Sequence, residues 1–229
     1  DVKTLASIAP PSISPSPLVA LKIGTRFVVI VRNPHGSSFS RALDHSPMFA
    51  LLSCLKRPWR VQSRCIPRVL EGRHVLGIDE TGSGKTAALA LPILHRLSEH
   101  LFGVFALVVT PTRELAFQLP EQFRALGSCL HLRIAVVVGG MDMLQQTKEL
   151  AARPHVVIAT PGKIKALLEN PDIPLVFART KFLVLDEVDR VLDVSFQEEL
   201  KFIFKCLPEN RQNLFFSATT TSNLQSCLS

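Results

Sequence analysis

Cysteine is sparse in this chain, and its placement rules out the chemistry it often signals. The five thiols, Cys54, Cys65, Cys129, Cys206 and Cys227, are odd in number and widely separated. No Cys-x-x-Cys pair occurs and no histidines stand nearby at zinc spacing, which argues against a zinc ribbon or a disulfide scaffold. Reduced thiols in a cytosolic or nuclear protein are the expectation. Long apolar runs are missing as well. The strongest near the start, FVVIV at 27–31, is far too short to cross a bilayer. Upstream, LVALKIG is interrupted by Lys22 and follows Pro-Ser repeats, a poor signal-peptide core, and the chain does not begin with Met. A trimmed intracellular fragment is therefore expected, with no membrane segment. No internal repeat is visible, so a solenoid is not indicated.

What the chain does have is apolar content, 47% over 229 residues, enough for a substantial core, and a formal charge of +7 that favours a polyanionic partner. Its first twenty residues are rich in Pro and Ser, a composition of extended, poorly packed chain, and residues 1–38 read as an irregular lead-in. From Val61 the texture changes to strand-length apolar runs alternating with segments of helical period, the pattern of βα units around a parallel sheet. Strands are expected at 74–78, 104–110, 133–138, 155–160, 181–186 and 212–218. Helices are expected at about 85–99, 113–126, 141–151, 162–169 and 196–206. Between Phe39 and Leu70 helix is expected only in part, because Pro47, Pro58 and Pro67 interrupt it. One domain from residue 39 to 229 is the economical division.

The segment Thr81–Thr86, TGSGKT, carries the clearest chemistry. Gly82 and Gly84 let backbone N–H groups turn toward a phosphate, the next helix aims its positive end at it, and Lys85 adds a point charge. Thr81 and Ser83 complete the loop, and Thr86 carries a hydroxyl able to ligate Mg²⁺. Alone, such a stretch is equally well a Gly-rich turn before a helix. Downstream, LVLDEVDR ends an apolar strand in Asp186, Glu187 and Asp189, as an acidic motif that coordinates Mg²⁺ should. The pairing of the two stretches favours a nucleotide site.

With PTRELA at 111–116, Gly139–Gly140, TPGK at 160–163 and SAT at 217–219 added in order, the chain resembles the DEAD-box RNA helicase family. The likeness covers roughly 39–221, the first of that family's two RecA-like domains. It implies an α/β RecA-like P-loop fold with a mostly parallel, doubly wound sheet, ATP and Mg²⁺ as cofactors, and RNA as partner. It further implies an ATP hydrolase that couples turnover to RNA remodelling in rRNA processing, among pre-ribosomal particles in the nucleus or nucleolus, or otherwise in the cytoplasm. By this resemblance Asp186 holds Mg²⁺ through water and Glu187 orients or deprotonates the attacking water. Asp189 reaches Ser217 and Thr219, unless it simply caps the helix that follows. Thr112, Arg113, Gly139, Gly140, Thr160, Pro161 and Gly162 grip the RNA backbone, so sequence selectivity is expected to be low. Gln62 pairs with the adenine edge, and Phe39, or alternatively Phe49, stacks on the base.

Several residues depart from the family pattern. Asp79 stands where Ala is usual, at the first position of the phosphate loop. A carboxylate about 6 Å from a phosphate charge, at an effective dielectric of about 20, costs about 3 kcal/mol, roughly a hundredfold in affinity. Asp79 is therefore expected either to turn to solvent or to impair ATP binding. Trp59 replaces Thr in the segment around Gln62, Lys163 replaces Arg, and Val188 replaces Ala in the acidic motif. No second RecA-like domain lies within the 229 residues, so this chain by itself is expected to bind ATP weakly and not to unwind duplexes. An RNA-binding or interaction module with impaired catalysis is the alternative reading.

Overall fold

The structure, a computed structural model, describes residues 27–31, 58–99, 103–192, 194–221 and 224. Phe39 and Phe49 lie outside the described residues, as do Pro47, Cys54 and Cys227. Seven strands form one sheet: β1 (Phe27–Val31), β2 (His74–Ile78), β3 (Ala106–Val109), β4 (Ile134–Val137), β5 (Val156–Ala159), β6 (Phe182–Leu185) and β7 (Gln212–Ser217). Their order is β1-β2-β7-β6-β3-β5-β4, and every pair is parallel. The α/β fold is thus as the sequence implies, with the sheet wholly rather than mostly parallel.

Parallel strands need crossovers, and the crossovers cover both faces with helices, which is why β3, β5 and β6 are buried at every position. Alternation of side chains divides the core in two. Leu107, Val109, Val157, Ala159, Leu183, Leu185 and Phe215 pack on one face. Ala106, Val108, Val156, Ile158, Val184, Leu214 and Phe216 pack on the other. The second face is closed by α1 (Arg60–Leu70), α2 (Lys85–Glu99) and α3 (Arg113–Leu126), through Cys65, Leu89, Leu97 and Phe123. The first is closed by α4 (Met143–Ala151), α5 (Pro161–Leu168) and α8 (Gln197–Cys206), through Leu150, Ile164, Leu200 and Ile203. Each such aliphatic side chain, fully buried, stabilises the fold by about 1.5–3 kcal/mol relative to exposure.

Two sequence expectations need correction. The run at 27–31, placed in an irregular lead-in, is the edge strand β1, paired in register with β2 from Phe27 beside His74 to Val31 beside Ile78. The Phe27 ring stacks at 4.7 Å on Phe215 and at 5.6 Å on His74, so the apolar run that looked isolated completes the sheet. Pro67 does not break the helix that contains it. Helix α1 runs through it to Leu70, because burial of Val61, Cys65, Ile66 and Val69 offsets the one backbone bond that proline removes. The sequence reading also missed the short helices α6 (Ile173–Val176) and α7 (Val188–Val191) and a 3₁₀ turn at Val194–Phe196, each too brief to show a period. Cys65, Cys129 and Cys206 are free thiols. Among the described residues no helix is long and apolar enough to span a membrane.

Candidate functional site

Because all strands run the same way, every motif loop emerges from the carboxyl edge of the sheet, the edge at which open α/β sheets bind ligands. The strand order then sorts the loops. Strands β2, β7 and β6 are neighbours and carry the phosphate loop, the Ser217–Thr219 turn and the acidic motif. Strands β3, β5 and β4 are neighbours on the other side and carry Thr112–Arg113, Thr160–Gly162 and Gly139–Gly140. Backbone bonds carry the ladder past the strand ends and fix the loops: Asp79 N–H donates to Ser217 O, Asp186 N–H to Val109 O, and Thr160 N–H to Val137 O.

In the phosphate loop, Gly82 and Gly84 both have φ of +83°, a left-handed conformation that glycine adopts without strain. Lys85, the first residue of α2, folds its ammonium back over the loop and donates to Asp79 O at 2.6 Å and Glu80 O at 2.7 Å. Partial burial lowers its pKa, and the carboxylates of Asp186, Asp79, Asp189 and Glu187 oppose that shift. Only two strand spacings, roughly 10 Å, separate β2 from β6, so Lys85 shares its field with the acidic motif. The Asp79 side chain bends back on its own loop, its Oδ1 accepting from Glu80 N–H at 2.9 Å while it remains partly exposed. The Asp79 carboxylate is thus engaged within its own loop, and its charge acts on Lys85.

Asp186 is buried, and desolvation pushes its carboxyl up to about 6, with one hydrogen bond from Glu187 N–H at 3.1 Å pulling the other way. Glu187 is one of two non-glycine residues among those described with a left-handed backbone, φ 49° and ψ 50°. Such strain costs on the order of 1 kcal/mol and collects at functional positions. The Glu187 carboxylate is held by Arg190 Nη1 at 2.9 Å. Asp189 accepts at 2.6 Å from Thr219 Oγ1, whereas Ser217 Oγ donates to Thr219 O at 2.6 Å and accepts from Thr219 N–H at 3.2 Å. Ser217 therefore shapes the turn that presents Thr219 and does not itself meet Asp189. The other oxygen of Asp189 and the Ser83 hydroxyl are buried without a partner, so the site retains polar groups that this chain alone does not satisfy.

Gln62, expected to pair with the adenine edge, is bonded to the protein beside the phosphate loop. It is 2% exposed; its Oε1 accepts from Trp59 N–H at 3.0 Å and its Nε2 donates to Gly84 O at 3.2 Å. Its amide braces the start of α1 against the phosphate loop, and one N–H is all the donor capacity left. A Cβ on Gly84 would run into Gln62 Nε2. Gly84→Ala is therefore expected to destabilise the fold by about 2–3 kcal/mol, from left-handed strain and loss of the Gln62 bond. Thermal melting should fall by about 5–10 °C. An unchanged melting temperature would show that this brace is not formed.

On the other half of the edge, Thr112 caps α3, accepting from Leu115 N–H at 3.4 Å, and exposed Arg113 lays its guanidinium on the glycine loop. A Cβ on Gly140 would stand 2.7 Å from Arg113 Nη1. Thr160 and Pro161 occupy the expected N-cap and first helical positions of α5, although the Thr160 side chain makes no capping bond. Sequence reasoning missed Gln146. Fully buried, it accepts from Val138 N–H at 3.0 Å and donates to Asp142 O at 3.3 Å, and so sets the approach of the glycine loop. The only signal was a glutamine four residues after the cap Asp142, on the face of α4 that also carries Leu150.

The family description DEAD/DEAH box helicase matches residues 59–227. DEAD-box ATP-dependent RNA helicase 36 of Arabidopsis thaliana is 70% identical over 175 residues, covering 76% of this chain and 36% of the relative. The human protein named probable ATP-dependent RNA helicase DDX49 is 51% identical over 174 residues, covering 75% and 36%. The Drosophila melanogaster protein named ATP-dependent RNA helicase DDX47 is 51% identical over 170 residues, covering 74% and 33%. The chain thus spans about a third of the length of these curated relatives. With the motif loops gathered on one sheet edge, these matches show that the chain belongs to the DEAD/DEAH box helicase family.

Proposed function

We propose that this chain is the ATP-binding portion of an ATP-dependent RNA helicase, gripping RNA by its backbone and using ATP hydrolysis to remodel it. The observation that carries the reading is the sorting of the sheet edge, with phosphate-handling loops on β2, β7 and β6 and basic, glycine-rich loops on β3, β5 and β4. The site suits ATP with Mg²⁺. Two positive-φ glycines and Lys85 form a phosphate cradle, and buried Asp186 is a carboxylate short of positive charge. Among the described residues no three His, Cys, Asp or Glu side chains converge as a cage. That donor set suits Mg²⁺, which keeps its waters and binds through one or two carboxylates and the substrate phosphates.

Lys85 and the loop N–H groups hold the phosphates, Thr86 and Asp186 hold the metal, and Glu187 holds the attacking water and takes its proton. Bound Mg²⁺ neutralises charge that develops on the transferring phosphoryl group. Asp189 and Thr219 join the acidic motif to the β7 turn, a route from hydrolysis to the rest of the edge. The RNA half grips sugar-phosphate through Thr112, Arg113, the glycine loop and the start of α5. The same reading extends to ribosome biogenesis, with action on pre-ribosomal particles in the nucleus. No feature of the site favours the alternative of a module without turnover.

Single-stranded RNA binding tests the interface. Affinity should be nearly independent of sequence and fall linearly with the logarithm of salt concentration, and Arg113→Ala should weaken all sequences alike while reducing the salt slope by about one. An unchanged slope, or a loss confined to one sequence, would contradict backbone gripping by this surface.

A further inference from the structure

The loops assigned above all lie at the carboxyl edge of the sheet, and the opposite edge carries a row of basic residues that they leave unused. At the strand entrances, backbone bonds run unbroken across the sheet. His155 N–H donates to Arg133 O at 2.8 Å, Phe105 N–H to His155 O at 2.8 Å, Lys181 N–H to Phe105 O at 2.9 Å, and Gln212 N–H to Lys181 O at 2.7 Å. The Gln212 side chain extends the row to the entrance of β2, its Nε2 donating to Arg73 O at 2.6 Å. Arg133, Lys181 and Arg73 therefore stand exposed along one fixed row that crosses from β4 to β2, roughly 24 Å at the usual strand spacing. Arg153 adds a fourth exposed cation two residues before His155. It is the other non-glycine residue among those described with a left-handed backbone, φ 52°. Its N–H donates to Leu150 O at 2.9 Å, a bond any residue makes, and glycine or asparagine would hold the conformation with less strain.

Between the entrances of β6 and β7 the row opens into a cleft of about 270 Å³, lined by Ala178, Arg179, Thr180, Lys181, Pro208 and Asn210. Its walls are braced. Thr180 Oγ1 donates to Val104 O at 3.4 Å, and buried Arg211, 5.0 Å over the Phe204 ring, donates from Nη1 to Pro208 O at 2.7 Å. Counter-charge is scarce: among the described residues no carboxylate pairs with Arg73, Arg133, Arg153 or Lys181. Glu71 is held by Arg68 at 2.9 Å, and Glu209 acts on Arg211. A stable protein partner needs buried apolar anchors at the centre of its interface, and none of the exposed large apolar residues among those described belongs to this row. Cations at strand spacing around a polar cleft suit a sugar-phosphate chain instead.

Resting on the reading that this chain grips RNA, we propose that the amino edge of the sheet is a second RNA-backbone site, which holds a segment of RNA outside the catalytic edge. Lys181 precedes β6 and Asp186 follows it, about 17 Å apart along the strand, so neither site blocks the other. Binding of a labelled single-stranded oligouridylate is measured by fluorescence anisotropy across salt for the parent, Arg153→Asn/Lys181→Gln, Arg113→Ala and all three together. Asparagine keeps the left-handed turn and glutamine the reach of Lys181, so melting temperatures should stay within about 3 °C. The double variant should lower the salt slope by about 1.4, from about 0.7 per phosphate contact, and weaken RNA by about fivefold to tenfold, equally in the Arg113→Ala background. Its ATP binding should equal the parent's. Crosslinks of a 4-thiouridine oligomer to the parent should map to 178–181 and 208–210 as well as to the carboxyl edge. A loss confined to the double variant supports the amino edge and contradicts gripping by the carboxyl edge. If the double variant keeps the parent's slope and affinity while Arg113→Ala loses both, the amino edge is not an RNA site and the grip of the carboxyl edge stands. Crosslinks confined to the carboxyl edge overturn the inference without any substitution. A double variant that loses polyglutamate but keeps RNA shows that the row meets acidic protein, which overturns it too. Absence of any RNA binding by the parent overturns the proposed function, and this inference with it.

Discussion

Glu187→Gln is expected to slow ATP hydrolysis by about 10²- to 10⁴-fold while leaving ATP affinity within about threefold, because the amide keeps the shape but cannot take a proton. The backbone supports this separation. Glu187 occupies a left-handed conformation between β6 and α7, φ 49°, and its N–H donates to Asp186 Oδ1. Glutamate has no local preference for that conformation, so its presence there is a cost that the fold tolerates. Glu187→Gly should relieve the strain but loosen the unfolded chain by a similar amount, leaving stability within about 0.5 kcal/mol while also losing hydrolysis. Single-turnover phosphate release, read beside thermal melting, checks both variants. Full hydrolysis by Glu187→Gln would remove Glu187 from the proton-accepting role.

Asp186→Asn is expected to make the protein more stable and less able to hold Mg²⁺. Burial raises the Asp186 carboxyl from its ordinary 3.8 to about 6, so the folded chain holds this proton more tightly than the unfolded chain does. Its contribution to stability is therefore fully present below pH about 3.8, lost as pH rises to about 6, and flat above that. The loss amounts to about 3 kcal/mol at neutral pH, from 1.36 kcal/mol per unit. Replacing the charge should recover most of it at pH 7.5, several degrees of melting temperature, and about half as much at pH 5. Melting of parent and variant without metal at both pH values is the measurement. A gain independent of pH, or a loss at pH 7.5, would mean that the carboxylate is satisfied within the protein.

Most of the fold was legible because its strands are continuous apolar runs and two of its helices begin on side-chain caps, Thr112 and Asp142. Helices α2 and α3 begin and end where the sequence places them, at Lys85–Glu99 and Arg113–Leu126, since a glycine-rich loop starts one and Thr112 caps the other. Strand β1 was lost because a short apolar run far from its partner carries no sign that it pairs with β2. Helix α1 was misjudged because Pro67 weighs heavily in a local reading, whereas the packing of Val61, Cys65 and Val69 is a tertiary fact. In the site, residue types and spacing pointed to the loops, but two contacts depended on three dimensions. Gln62 turns inward to brace Gly84, and the Ser217 hydroxyl closes its own turn while Thr219 alone meets Asp189. Which polar atom faces which neighbour is not written in spacing.

Lys85, on its strand-to-helix loop, shares its field with the Asp186 and Glu187 carboxylates, and the proposed function requires a metal-bound triphosphate to fit between them. Titration of ATP with Mg²⁺ against the parent chain and Lys85→Ala tests it most directly. The variant should lose about tenfold to a hundredfold in affinity, the scale of one charge-assisted hydrogen bond to phosphate. Equal affinity of the two proteins would contradict it.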